Sequence, residues 1–131
     1  MVDDHPRFRE AMVSFLEGEP DMTVVAETDD GETAIRLARE LAPRIVLMDV
    51  VLPGMSGIEA TRRIVSEDPE RLVLTMSIQS HRKLVTQSRV AGAAGYVSKS
   101  TSGEEVLDTI RTVAAGGTVA GLNQAVSDRP A

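Results

Sequence analysis

The chain has no cysteine and no tryptophan, and its aromatic residues are two phenylalanines and one tyrosine. Without thiols it can build no disulfide framework, iron–sulfur cluster or thiolate zinc site, and it has no cysteine nucleophile. So few rings leave no stacking platform for single-stranded nucleic acid. No apolar run approaches the ~18 residues of a membrane span, and no charged-then-apolar stretch opens the chain, so the expectation is a soluble cytoplasmic protein with no membrane partner. Positive charge is also in short supply: 14 Lys and Arg stand against 20 Asp and Glu, for a net charge of −6. That balance argues against a surface that grips nucleic acid by itself. What is present suits one folded domain: 131 residues, 42% hydrophobic and 26% charged, a size that buries roughly two thirds of its unfolded surface.

Periodicity divides the chain into helical patterns and short apolar runs. Phe8, Ala11, Met12, Phe15 and Leu16 follow the spacing of a helix with one buried face, and Gly18 and Pro20 break it. Residues 22–26 form a short β-prone run. Asp30-Gly31 opens a second helix with Ala34, Leu37, Ala38 and Leu41 on one face, stopped by Pro43. Ile45-Val46-Leu47-Met48 is continuously apolar, as a strand buried on both faces must be. Pro53-Gly54 suits the centre of a type II turn, and Ser56-Gly57-Ile58-Glu59 is a capping-box pattern for a helix that Pro69 ends. A strand over residues 72–76, a helix over about 80–91 and a last short strand over 96–98 follow. Ser102-Gly103-Glu104-Glu105 is a second capping box, and Val106, Ile110, Val113 and Ala114 are its helix's inward face. The order begins with a β stub at the acidic start and alternates thereafter. It predicts a parallel sheet covered on both sides by right-handed crossovers, a three-layer, doubly wound α/β domain over residues 1–116. Residues 117–131 lack a helical face long enough to stand alone and read as a linker or tail.

In open parallel sheets ligands sit beyond the carboxyl ends of the strands. There the sequence sets Asp3 and Asp4 at the end of the stub, Asp49 after the apolar strand, Ser77 after the fourth and Lys99 after the fifth. Three carboxylates on one edge repel one another unless a cation joins them. An all-oxygen donor set selects a hard ion such as Mg²⁺, which commonly takes one or two carboxylates, waters and phosphate oxygens. A lysine beside it supplies a point charge for an anion. The chemistry suggested is phosphoryl transfer, in which positioning and charge neutralisation dominate.

Val2-Asp3-Asp4-His5-Pro6, the run from Leu47 through Asp49 and Pro53-Gly54 to Gly57, and Gly92-Ala93-Ala94-Gly95-Tyr96-Val97-Ser98-Lys99 together resemble the receiver domain of bacterial two-component response regulators. The details are similar to the NarL/FixJ branch, whose members usually continue into a LuxR-type helix-turn-helix. The resemblance covers roughly residues 2–116 and implies five strands in the flavodoxin-like order 2-1-3-4-5. It implies that Asp49 is the phosphoacceptor for a sensor histidine kinase or a small acyl phosphate. Asp3, Asp4 and Asp49 would hold Mg²⁺, Asp4 more directly than Asp3, with the Val51 carbonyl completing the shell, and Lys99 would pair with the phosphoryl oxygens. Two hydroxyls compete for the remaining position. Thr75 sits in a locally matching Leu-Thr pair, whereas Ser77, 28 positions after Asp49 and 22 before Lys99, has the spacing usual in the branch and is preferred. Tyr96 occupies the aromatic switch position, thought to swing inward when Ser77 moves toward the phosphate. A homodimer through the fourth or fifth helix, and DNA binding only through a domain outside this chain, are implied as well.

Two departures stand out. Only Met1 and Val2 precede Asp3, where the family has a longer apolar strand, so the first strand is expected to be shortened. A misassigned start or a trimmed chain is the preferred reading, ahead of a genuine truncation or a strand borrowed from a second copy. The loop after Ser77 reads Ile78-Gln79-Ser80-His81-Arg82-Lys83, where the branch often carries acidic residues. His5 and His81 read as surface residues, and Arg82, Lys83 and Arg89 as a solvated face or dimer contact rather than a nucleic-acid patch. The expected function is a signalling switch, not a turnover enzyme. A haloacid-dehalogenase-like phosphatase needs a second Asp where Val51 stands, and a flavin binder needs a phosphate loop and aromatics that are missing. The remaining alternative is a degenerate receiver that binds partners without phosphorylation.

Overall fold

Three parallel strands form the sheet in the computed structural model, which describes residues 1–78 and 82–116. In chain order the elements are α1 (Pro6–Glu17), α2 (Gly31–Leu41), β1 (Ile45–Asp49), α3 (Gly57–Glu67), β2 (Leu72–Ser77), α4 (Arg82–Val90), β3 (Gly95–Ser98) and α5 (Gly103–Ala114). β1 pairs with β2 from Ile45↔Leu72 to Asp49↔Met76, and β2 with β3 from Leu74↔Gly95 to Ser77↔Ser98. This register brings Asp49, Ser77 and the residue after Ser98 to the same edge.

The continuously apolar strands are explained by a core on each face. Leu47, Leu74 and Met76 pack with Met12 and Leu16 of α1 and with Val106, Leu107, Ile110 and Val113 of α5. Val46, Met48 and Val73 pack with Ala34, Ile35 and Ala38 of α2 and with Ala60 and Ile64 of α3. Residues of both periods are therefore buried, as a sheet covered by helices on both sides requires. Three of the helices start where side-chain oxygens meet free N–H groups. Asp30 accepts from the Thr33 N–H at 2.8 Å, Ser56 from Glu59 at 3.2 Å and Ser102 from Glu105 at 3.3 Å. Glu59 turns to Arg62 and Arg63 on the helix surface.

Two expected strands do not form. Residues 22–26 are not paired as a strand, and the chain start contributes isolated parallel bridges from Val2 to Thr28 on one side and to Met48 on the other. The reason is the length of the start: with one residue before Val2, no ladder exists against which residues 22–26 could pair. α1 is also rotated from the expected face: Val13 is buried and Ala11 exposed, while Phe15 is 37% exposed. The expected start of the fourth helix near residue 80, His81, and the linker or tail at 117–131 lie outside the described residues.

Candidate functional site

The site forms where the ends of β1, β2 and β3 meet the start of α1. Asp49, the last residue of β1, is 2% exposed, and Asp3 is fully buried. Asp3 is placed by the Val2 bridge: its N–H donates to the Thr28 carbonyl at 3.0 Å, and the Asp49 N–H donates to the Val2 carbonyl at 2.9 Å. The two carboxylates are thus fixed by one stretch of backbone. Arg9 of α1 donates to the Asp3 carbonyl at 2.6 Å, which ties the first turn of the helix to the site.

Lys99 follows β3, and its N–H donates to the Ser77 carbonyl at 2.8 Å. Its side chain is nearly buried and reaches across the edge. Nζ donates to Asp49 Oδ2 at 2.8 Å and stands 2.7 Å from Asp3 Oδ2, with the Phe8 ring 4.8 Å below it. The contact with Asp3 is an ion pair, and Asp4 Oδ1 is a buried oxygen with no hydrogen-bond partner among the described residues. The Val51 N–H donates to Asp49 Oδ1 at 3.1 Å. Burial pushes the Asp49 carboxyl above the usual carboxylate range, a shift that the Lys99 and Val51 bonds reduce without cancelling.

His5 is exposed, as the surface reading has it, and stands beside the acidic pair. It is the N-cap residue of α1 and makes no side-chain cap. Its Nδ1 lies 3.2 Å from Asp3 Oδ1, 3.3 Å from Asp4 Oδ1, 3.7 Å from Asp49 Oδ2 and 3.2 Å from Lys99 Nζ. Its side chain is 53% exposed, so it forms the rim rather than the floor. The Asp3 side chain accepts the His5 N–H at 2.7 Å instead of capping the first helical turn. The sequence signal was adjacency to the acidic pair, which a count of histidines passes over.

The remaining residues have distinct surroundings. Ser77 ends β2 and is buried. Thr75 lies one step deeper, fully buried, and its hydroxyl donates to Ser88 Oγ of α4 at 2.8 Å. Tyr96 is buried in the core shared by α1 and α5. Val51 is 65% exposed beside the site. Gly57, at the start of α3, is what lets that helix approach: a Cβ there would stand 1.9 Å from the Asp49 carbonyl oxygen. Gly54 has φ +74°, the left-handed value that the third position of a type II turn requires.

Three carboxylates against one ammonium leave the pocket with an excess of negative charge. One ligand atom from each of Asp3, Asp4, His5 and Asp49 lies within 4.8 Å of the others. The carboxylate oxygens within such a group fit a hard divalent cation. An acidic pocket at the carboxyl edge of a parallel α/β sheet, closed by one buried lysine, is the architecture of a signal receiver. The chain belongs to the response regulator receiver domain family, whose model matches residues 1–111. It is 42% identical over 118 residues to the transcriptional regulatory protein LiaR of Bacillus subtilis, a match covering 88% of this chain and 55% of that protein. The response regulator GacA of Pseudomonas aeruginosa is 40% identical over 116 residues, covering 88% and 54%. Among solved structures, a LuxR-family two-component response regulator from Aurantimonas superposes with a TM-score of 0.89 at 38% identity, over 97% of this chain and 92% of that one. The receiver domain of the NarL regulator of Mycobacterium tuberculosis gives 0.84 at 33%, over 88% and 93%. The chain spans about half the length of the two curated relatives. No helix among the described residues is long and apolar enough to cross a membrane.

Proposed function

We propose that this chain receives a phosphoryl group on Asp49 and serves as the input module of a cytoplasmic two-component regulator. The observation that carries the reading is the Asp49 carboxylate itself, buried at a strand end, bonded to Lys99 at 2.8 Å and flanked by Asp3 and Asp4. A desolvated carboxylate is a stronger nucleophile than a hydrated one. One of its oxygens attacks phosphorus in the phosphohistidine of a sensor kinase or in a small acyl phosphate. An O–P bond to Asp49 forms as the bond to the donor breaks, and the electron pair leaves with the donor atom. Mg²⁺ held by Asp3, Asp4 and Asp49, with the Val51 carbonyl, would neutralise the phosphoryl oxygens.

Lys99 then exchanges its Asp49 partner for a phosphoryl oxygen. Ser77 supplies the hydroxyl, a choice supported by the Thr75 hydroxyl's bond to Ser88 on α4. Movement of Ser77 toward the phosphate draws on Tyr96, two residues from the end of β3, and passes the change to a homodimer face on α4 or α5. The output is control of transcription through a DNA-binding domain outside this chain, a reading supported by the names of the relatives.

Intact mass after incubation with acetyl phosphate and Mg²⁺ tests the reading. One added phosphoryl group is expected, absent from Asp49→Asn and from an EDTA control. No addition to folded protein would contradict it.

A further inference from the structure

The His5 imidazole makes a set of contacts that no placement of its hydrogen satisfies. Nδ1 faces three carboxylates, at 3.2 Å from Asp3 Oδ1, 3.3 Å from Asp4 Oδ1 and 3.7 Å from Asp49 Oδ2, and all three oxygens are acceptors. It also lies 3.2 Å from Lys99 Nζ, which can only donate. A ring nitrogen offers one hydrogen or one lone pair. As a donor Nδ1 serves one carboxylate and opposes the ammonium. As an acceptor it takes the Lys99 bond and turns its lone pair on the carboxylates. Asp3 Oδ1 already accepts the His5 backbone N–H at 2.7 Å, while Asp4 Oδ1 has no hydrogen-bond partner among the described residues.

A cation among these atoms satisfies oxygens and nitrogen lone pair together. In an octahedral shell with bonds of about 2.1 Å, neighbouring ligand atoms are about 3.0 Å apart and opposite ones about 4.2 Å. The separations of Nδ1 from the Asp3 and Asp4 oxygens are those of neighbouring positions, and its separation from Asp49 falls between the two values. The imidazole needs no rearrangement of the helix to serve as a ligand. Its side chain makes no cap hydrogen bond to α1, and it stands at the solvent side of the pocket, where a cation enters. Nor does Lys99 depend on it. The ammonium keeps Asp49 Oδ2 at 2.8 Å and Asp3 Oδ2 at 2.7 Å, so its charge stays paired without the ring.

We propose that His5 is a nitrogen ligand of the cation site and gives it affinity for first-row transition ions such as Co²⁺ and Zn²⁺ that its carboxylates alone would not supply. The inference rests on the acidic pocket being a cation site and adds the ligand that decides which cations it prefers. Carboxylates suit Mg²⁺, which takes oxygen donors and keeps several waters. Imidazole suits the transition ions, whose affinity for a mixed nitrogen and oxygen shell exceeds that of Mg²⁺. The donor set of Asp3, Asp4 and Asp49 is therefore the hard half of the site, and His5 is the half that discriminates.

Calorimetric titration of the 131-residue chain and of His5→Gln with Mg²⁺ and with Co²⁺ tests this. The substitution should weaken Co²⁺ by ~tenfold or more and Mg²⁺ by about twofold at most. Retained Mg²⁺ binding also shows that the variant keeps its pocket. Equal weakening of the two ions, or unchanged Co²⁺ binding, would overturn the proposal while leaving the cation site in place. Failure of the unaltered chain to bind either ion would remove the cation site itself, and the proposal with it. Proton NMR gives a second reading, because the chain has two histidines, His5 and His81. Zn²⁺ should move the His5 imidazole signals at one equivalent and leave those of His81 in place. Movement of His81 alone, or of neither, would also overturn it.

Discussion

On one side of β1 the sheet continues through β2 and β3, with five residue pairs and then four. On the other side it continues through Val2 alone, one residue bridged to Met48 and to Thr28. The acidic edge draws on both sides: Asp49, Ser77 and Lys99 come from the paired side, Asp3 and Asp4 from the bridged one. A single bridged residue is enough to place Asp3, because three backbone hydrogen bonds around Val2 and Asp3 fix its position relative to Asp49. It is not enough to close the core below, where a groove of about 350 Å³ remains between β1, α2 and the segment 22–28. Chemistry at a strand end needs local geometry, whereas stability needs the length of the ladder.

Five substitutions break or sharpen that contrast. The largest effect is expected on the paired side. Gly57→Ala drives a Cβ into the Asp49 carbonyl, and urea melts should show a loss of about 3 kcal/mol or more. Lys99→Ala cuts the tie between the two sides and leaves two buried carboxylates without their cation. A loss of about 3 kcal/mol is expected at neutral pH. Thr75→Val leaves Ser88 without the hydroxyl it accepts from, for a loss of about 1 kcal/mol with phosphorylation retained. Ser77→Ala should show the reverse, with little loss of stability and a changed lifetime of the phosphorylated form by mass spectrometry. The smallest effect is a gain. The Asp49 carboxyl is raised in the folded state, so its ionisation weakens folding as pH rises through that value. Asp49→Asn should therefore raise the melting temperature at neutral pH, and the gain should vanish below the ordinary carboxylate range.

The sequence exposed the acidic edge because strand ends are local: an apolar run followed by Asp49, or by Ser98 and Lys99, announces itself. The helix caps at Asp30, Ser56 and Ser102 were legible for the same reason. Pairing is not local. Residues 22–26 carry a strand's composition and alternation yet make no ladder, because the chain beside them contributes the bridged residue Val2 and no strand. His5 was read as a surface residue and is exposed, but its closeness to Lys99, 94 positions away, is not local. Gly57 was visible as part of a cap, but its closeness to Asp49 depends on how α3 seats against β1. The Thr75–Ser88 bond crosses from β2 to α4, and no periodicity predicts it.

The most direct test of the phosphoacceptor locates the modified residue. Borohydride reduces an acyl phosphate to an alcohol, so treatment after acetyl phosphate and Mg²⁺, followed by peptide mapping, marks the carboxyl that carried the phosphoryl group. Reduction at Asp49 and at no other residue is the predicted result. Reduction at Asp3, at Asp4 or at any other carboxyl, or none in folded protein, would contradict it.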